Sequence, residues 1–260
     1  MIILSLFDGI SCGQVALERA GIKVDKYYAS EIDKYAIQVT QYHYPNTIQL
    51  GNVKKLDVDY IKKLGIDLLL GGSPCQNLSL IGDGMGLDGD QSKLFYEYVK
   101  IKNIINPKYF IYENVASMKK EDKNIISNML GVNPIMIDSA LISAQSRKRY
   151  YWTNVPSVKQ PKDKGILLQD VLEEGIAIRR KSKTVRVGGR NSNDRHEWDL
   201  ATVDGRRYTP LECERLQTLP DNYTYMIPKT YRYKCLGNCW TVDVITHILS
   251  YITKYKYNKE

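Results

Sequence analysis

No stretch of the 260 residues comes near the roughly eighteen consecutive uncharged apolar residues of a membrane-spanning helix. The apolar N-terminus, Met-Ile-Ile-Leu-Ser-Leu-Phe, is short and lacks the basic region of a secretory signal. It reads as a buried first strand, and a cytoplasmic protein with no membrane partner is the expectation. Cysteine is sparse and odd in number: Cys12, Cys75, Cys213, Cys235 and Cys239, with no C-x-x-C spacing. That argues against a disulfide framework and against a zinc finger or ribbon. Most of the five read as small buried hydrophobes. Internal repeats and low-complexity tracts are absent. Phenylalanine is also rare, with three residues against 20 tyrosines. Some of those phenol rings could stack on bases, though most are more simply amphipathic core or surface groups.

What is present is an ordinary globular composition, 43% hydrophobic and 25% charged, of a size for one large domain or a domain with a small satellite. The formal charge of +8 and isoelectric point near 9.0 favour a polyanionic partner. The first half alternates strand-like and helix-like patterns: a strand over Ile2 to Phe7, a helix from Cys12 to Ala20 closed by Gly21, a strand over Tyr27 to Ser30, and a helix from Asp33 to His43. A short strand near Thr47 to Leu50, a helix over Asp57 to Leu64, a central apolar strand Ile66 to Leu70, a helix over Ser92 to Ile105 and a strand Tyr109 to Tyr112 follow. Such alternation predicts an α/β fold, a mostly parallel sheet with helices on both faces, whose ligands bind beyond the carboxyl ends of the strands. Loops Asp8–Gly13, Glu31–Asp33, Gly71–Ser79 and Glu113–Val115 all follow predicted strands and should converge on one rim.

Past Pro156 the chain turns polar and basic. Its one apolar helix is expected over Ile166 to Leu172, giving a small loop-rich subdomain over 156–227 between a domain of 1–155 and a returning segment of 228–260. Thr209-Pro210-Leu211-Glu212 has the form of a capping box with proline at the first helical position. A last helix over Val242 to Lys256 carries Val244, Ile245, Ile248, Leu249 and Ile252 on one face.

Four clusters carry chemistry. In Phe7-Asp8-Gly9-Ile10-Ser11-Cys12-Gly13 the glycines permit a tight turn before a helix N-terminus, and Glu31, eighteen residues beyond Gly13, can meet ribose hydroxyls. The spacing is not G-x-G-x-x-G, so an adenosyl ligand without a pyrophosphate suits it better than a dinucleotide. In Gly71-Gly72-Ser73-Pro74-Cys75-Gln76-Asn77-Leu78-Ser79 a cysteine follows proline at the sheet rim, where a thiol is poorly placed as a core hydrophobe. Nucleophilic thiols need exposure and nearby positive charge or N–H donors; an incidental loop cysteine is the alternative. Glu113 in Tyr112-Glu113-Asn114-Val115 could be a salt-bridge partner, or could hydrogen-bond a ring nitrogen and handle its proton. Gln145-Ser146-Arg147-Lys148-Arg149 places Arg147 and Arg149 on one face of a strand, where they could meet phosphate, a base carbonyl or Glu113.

These four clusters, together with Arg207-Tyr208-Thr209-Pro210-Leu211-Glu212-Cys213-Glu214-Arg215-Leu216-Gln217 and Gly237-Asn238-Cys239-Trp240-Thr241-Val242, lie in the order found in cytosine-C5 DNA methyltransferases, which the chain resembles along nearly its whole length. The phrasing of Phe-Asp-Gly-Ile, Gly-Gly-Ser-Pro-Cys and the late Trp240 is nearest to the catalytic domains of animal de novo DNA methyltransferases, while the brevity of the chain points to a phage or bacterial relative. The resemblance implies a Rossmann-like sheet that binds S-adenosylmethionine, leaves S-adenosylhomocysteine and needs no metal. It implies catalysis by Cys75 and Glu113 with Arg147 and Arg149, and cofactor contacts from Phe7, Asp8, Gly9, Ile10, Cys12, Gly13, Glu31, Ile32, Asp33, Pro74, Leu94, Asn238, Trp240 and Val242. The family's aspartate for the adenine amino group is replaced by Asn52, which can still accept through its side-chain oxygen. Double-stranded DNA is the implied partner of a monomer, met by Gln76, Asn77, Ser79, Arg186, Gly188, Gly189, Arg190 and Arg195, in a restriction-modification or phage setting. The glycine-rich stretch Gly82 to Leu87 has the composition of a closing loop. Two rivals stand beside this reading: a transfer-RNA cytosine methyltransferase of the same fold, and an inactive DNA-binding regulator, against which the intact Cys75, Glu113 and arginines argue.

Overall fold

A computed structural model describes residues 1–74, 93–187 and 199–257, with side chains through 253. Among these residues, seven strands form one sheet in the order β3-β2-β1-β4-β5-β7-β6. They are β1 (Ile2–Leu6), β2 (Lys26–Ser30), β3 (Ile48–Gln49), β4 (Leu68–Gly71), β5 (Tyr109–Val115), β6 (Ile135–Asp138) and β7 (Lys148–Thr153). The first five run parallel, and β7 is antiparallel to both its neighbours. Apolar β1 and β4 are buried on both faces, as continuous hydrophobic strands at the centre of a covered sheet must be.

Side chains alternate between two cores. Ile3, Leu68, Leu70 and Ile111 point toward α1 (Cys12–Arg19) and α8 (Val242–Tyr257), whereas Leu4, Leu69, Phe110 and Tyr112 point toward α3 (Val58–Lys63), α4 (Leu94–Ile105) and α5 (Lys120–Leu130). Val244, Ile245, Ile248, Leu249 and Ile252 are all buried, so α8 presents the face that its periodicity predicts. The remaining helices are α2 (Lys34–His43), α6 (Pro210–Leu216) and α7 (Lys229–Asn238). Leu168, Val171, Val185, Ala201, Tyr208 and Leu216 join the α1–α8 core, which fastens the polar second half to that face of the sheet. No helix among the described residues is long and apolar enough to cross a membrane.

Several elements depart from expectation. Glu113-Asn114-Val115 is not a loop: β4 ends opposite Tyr112, but β7 continues the ladder and pairs Glu113 with Tyr151 and Val115 with Arg149. The Ile166–Leu172 helix shrinks to a single 3-10 turn, Leu168–Val171. One turn suffices to bury Leu168 and Val171, and the Glu173, Glu174 and Gly175 that follow are exposed. Helices α5 and α7 and strand β6 had no counterpart in the sequence pattern. The capping box, in contrast, is present: the Glu212 N–H donates to Thr209 Oγ1 at 3.1 Å, and the Thr209 N–H to Glu212 Oε2 at 2.9 Å.

Candidate active site

The carboxyl ends of β1, β2 and β4 are level, with Leu6 opposite both Ser30 and Gly71. Their loops open on a cleft of about 1580 Å³. Phe7, Asp8, Gly9, Ile10, Cys12, Glu31, Ile32, Asp33, Asn52, Pro74, Leu94, Glu113, Arg147, Arg149, Arg186, Asn238 and Trp240 line it, so most of the residues singled out in the sequence share one space. Gly13 and Val242 do not. Gly13 packs against the sheet, where a Cβ would meet Tyr27 Oη at 2.8 Å and Leu70 Cδ1 at 2.9 Å, and Val242 is fully buried at the start of α8. Neither side presents a surface to a ligand, so their contribution is to the wall. Cys75, Gln76, Asn77, Ser79, the Gly82–Leu87 stretch, Gly188, Gly189, Arg190 and Arg195 lie outside the described residues.

The loop after β1 holds a tense backbone. Phe7, Gly9 and Ser11 all have positive φ (59°, 60° and 56°), a conformation that costs non-glycine residues free energy and so needs support from around it. That support is visible. The Phe7 N–H donates to the Ser30 carbonyl at 2.9 Å, Ser11 Oγ donates to Asp8, and Tyr27 Oη donates to Asp8 Oδ1 at 2.7 Å. Burial lifts the Asp8 carboxyl to about 6, against the pull of the hydroxyls of Ser11 and Tyr27. Glu31 gathers three main-chain N–H groups: Gly9 on Oε2 at 2.8 Å, and Ile32 and Asp33 on Oε1 at 2.7 and 2.9 Å. The neighbouring Ile32 side chain is 71% exposed at the cleft. Asp33 caps α2 and pairs with Lys234 of α7 at 2.6 Å, and Asn52 Oδ1 accepts from the Lys54 N–H at 2.9 Å.

Across the cleft, Glu113 is held from two directions. Arg149 Nε lies 2.9 Å from Oε1, and Trp240 Nε1 donates to Oε2 at 3.0 Å. Gly72, next to it on the adjoining strand end, leaves room for this arrangement, since a Cβ there would stand 2.8 Å from Glu113 Oε2. The Gly72-Ser73-Pro74 stretch is itself anchored. Ser73 Oγ lies 2.6 Å from Tyr112 Oη, and Asn114 Nδ2 donates to the Ser73 carbonyl at 3.4 Å and to Tyr112 Oη at 3.2 Å. Buried Ser73, Tyr112 and Asn114 thus set where the chain stands two residues before Cys75. Sequence reasoning missed this role, although Asn114 sits inside one of its clusters.

Gln145, Arg147 and Arg149 divide their labour. Arg149 serves Glu113. Gln145 is fully buried, donates to the Leu216 carbonyl at 3.0 Å and to Gln217 Oε1 at 3.1 Å, and accepts from the Val185 N–H at 2.7 Å. Arg147, also buried, donates to the carbonyls of Val185 (3.0 Å), Gly237 (3.2 Å) and Cys239 (3.1 Å). Burial, with Arg149 close by, draws its guanidinium down to about 10, still charged at neutral pH. Its Nη atoms are engaged with main chain rather than held ready for a base or phosphate. The contact with 182–187 is close-packed: a Cβ on Gly237 would stand 2.5 Å from the Val187 nitrogen. Basic side chains, among them Lys148, Arg179, Lys183 and Arg186, line the same cleft.

Comparison with known proteins gives a consistent result. The family model for C-5 cytosine-specific DNA methylase matches residues 1–154 and 136–254. The orphan methyltransferase M.Rho11sI of Bacillus phage rho11s is 29% identical over 220 residues, covering 79% of this chain, and the chain spans only 42% of that relative's length. The type II methyltransferase M1.ScrFI of Lactococcus lactis subsp. cremoris is 28% identical over 297 residues, covering 94% of this chain and 75% of the relative. In fold, the Entamoeba histolytica methyltransferase EhMeth superposes with a TM-score of 0.79 at 16% identity, over 98% of each chain.

Proposed function

The chain belongs to the C-5 cytosine-specific DNA methylase family, and from that premise we propose that it transfers a methyl group from S-adenosylmethionine to C5 of a cytosine turned out of double-stranded DNA. The observation that carries this reading is the single cleft shared by the Glu31 loop, Pro74 immediately before Cys75, and the clamped Glu113. The cofactor's chemistry fits the residues present. Phe7, exposed Ile32 and Leu94 offer apolar surface beside the Glu31 carboxylate, whose Oε2 accepts one N–H and keeps a lone pair free for a hydroxyl donor. When bound, S-adenosylmethionine supplies an electrophilic methyl group.

C5 of cytosine is a weak nucleophile until a group adds at C6, and C6 is out of reach inside the base stack. The Cys75 thiolate adds to C6, forming the S–C6 bond and pushing electron density onto C5. Glu113 hydrogen-bonds N3 and the exocyclic amino group, which favours that addition, and Arg149 holds the carboxylate in place. C5 would then take the methyl group, its bond to the sulfonium breaking with the electron pair left on sulfur as S-adenosylhomocysteine. Loss of the C5 proton and cleavage of the S–C6 bond restore the ring and free Cys75. Arg186 and the basic residues of 183–190 would meet the DNA, by phosphate or base-edge contact.

The test is labelled methyl transfer to duplex DNA and, in parallel, to transfer RNA, with Cys75→Ala as the control. Transfer to DNA that the variant abolishes, and a covalent adduct trapped on DNA containing 5-fluorocytosine, are the expected results. Transfer confined to RNA would replace the substrate, and equal activity in Cys75→Ala would remove the nucleophile.

A further inference from the structure

We propose that Trp240 is a positioning residue for Glu113: its indole N–H orients the carboxylate, coupling the cofactor side of the cleft to the base side. The inference rests on the reading of Glu113 just given and adds a residue that acts through it.

The geometry that carries it is specific. Trp240 Nε1 donates to Glu113 Oε2 at 3.0 Å while Arg149 occupies Oε1 at 2.9 Å, so each oxygen has one charge-assisted donor. A carboxylate oxygen keeps a further lone pair after one such bond, which leaves both oxygens competent toward a base. The indole is not placed by chance. On its N-terminal side the Cys239 carbonyl accepts from Arg147 at 3.1 Å. On its C-terminal side Thr241 Oγ1 donates to Gln217 Oε1 and the Val242 N–H donates to the Gln217 carbonyl, both at 2.9 Å. The ring then passes between two glycines. A Cβ on Gly72 would stand 3.2 Å from its Nε1 and one on Gly13 would stand 3.9 Å from its Cζ3, so the same side chain lies beside the helix that begins at the Phe7–Gly13 loop and hydrogen-bonds the carboxylate across the cleft. A tryptophan that served only to pack would need neither the pinned main chain nor the aimed N–H.

Trp240→Phe keeps the aromatic packing and deletes the N–H. It should lower kcat about tenfold, while affinity for S-adenosylhomocysteine measured by calorimetry stays within about twofold. Gly72→Ala, which pushes a methyl group into the same contact, should reproduce the effect with Trp240 intact. Without any reliance on turnover, the ¹⁵N spectrum should show three indole N–H signals, one per tryptophan. The one lost in Trp240→Phe should move in Glu113→Gln. If that signal moves and no substrate is methylated, the positioning contact stands and the proposed reaction falls. If the signal ignores Glu113→Gln, or if Trp240→Phe loses cofactor affinity alone with kcat unaltered, the positioning role is overturned.

Discussion

Arg149 reaches Glu113 diagonally across the β5–β7 ladder: Glu113 faces Tyr151 and Arg149 faces Val115, and the ion pair of 2.9 Å joins the two across one step of the pleat. Both side chains are 13% exposed, so neither charge is comfortably solvated alone. Removing one partner of a pair this enclosed leaves the other uncompensated. Arg149→Ala should therefore lower methyl transfer by about two orders of magnitude, as loss of a site-ordering charge does, with thermal stability lowered by about 1–3 kcal/mol. Arg149→Lys should recover the stability but only part of the rate, because an ammonium lacks the fork of the guanidinium. Single-turnover rates alongside thermal melts would check this. A wild-type rate in Arg149→Ala would show that the pair is structural only.

Arg147 should behave in the opposite way. Its guanidinium satisfies three main-chain carbonyls from two distant segments, at Val185 and at Gly237 and Cys239. Arg147→Met keeps the length and leaves those carbonyls bare, at a cost of about 2–4 kcal/mol. Urea denaturation reads that loss directly, and exchange of the main-chain amides near Val185 should quicken along with it. An unchanged urea midpoint would mean that water or another donor replaces the guanidinium.

Asp8 sets a pH dependence of known sign. Its carboxyl stands at about 6 in the fold against an ordinary 3.8, chiefly through burial. Between those values the folded protein holds a proton that the unfolded chain releases, so Asp8 costs stability as pH rises through that window and the cost is level above it. Because the group faces the cleft and is partly exposed, the cost at neutral pH is about 1–3 kcal/mol rather than the full value for a sealed carboxyl. Asp8→Asn retains an acceptor for Tyr27 or Ser11 and removes the charge. The stability difference between variant and wild type should grow in the variant's favour from pH 4 to pH 7, read from urea midpoints at each pH. A difference independent of pH would mean that Asp8 titrates normally.

The strongest sequence signals were local ones. Apolar runs located β1 and β4, and the Thr209 capping box located the start of α6, because periodicity and capping depend on residues a few positions apart. Strand-helix alternation then implied a rim, and the rim gathered Phe7, Glu31, Pro74 and Glu113. Helices α5 and α7 escaped because their burial is confined to a few positions among many charges, and the turn at Leu168–Val171 was overextended because two well-spaced leucines and a valine imitate a longer helix.

By itself the sequence determined the chemistry on offer: a glycine-rich turn before a helix, a cysteine after proline, a carboxylate following an apolar strand run and two arginines at alternate positions. Residue type and short-range spacing are enough for that. Which of the two arginines meets the carboxylate was beyond its reach, since Arg147 and Arg149 are equivalent in pattern and differ only in what surrounds them. Tertiary structure decided it by bringing the carbonyls of Val185, Gly237 and Cys239 to Arg147, from positions 38, 90 and 92 residues away, while the β5–β7 register brought Glu113 to Arg149. Trp240 and Glu113, 127 residues apart, likewise became partners only through folding. Hydrogen bonds between such distant groups leave no periodic trace in the chain, because the sheet and the packing around it, rather than local spacing, set the distance between them.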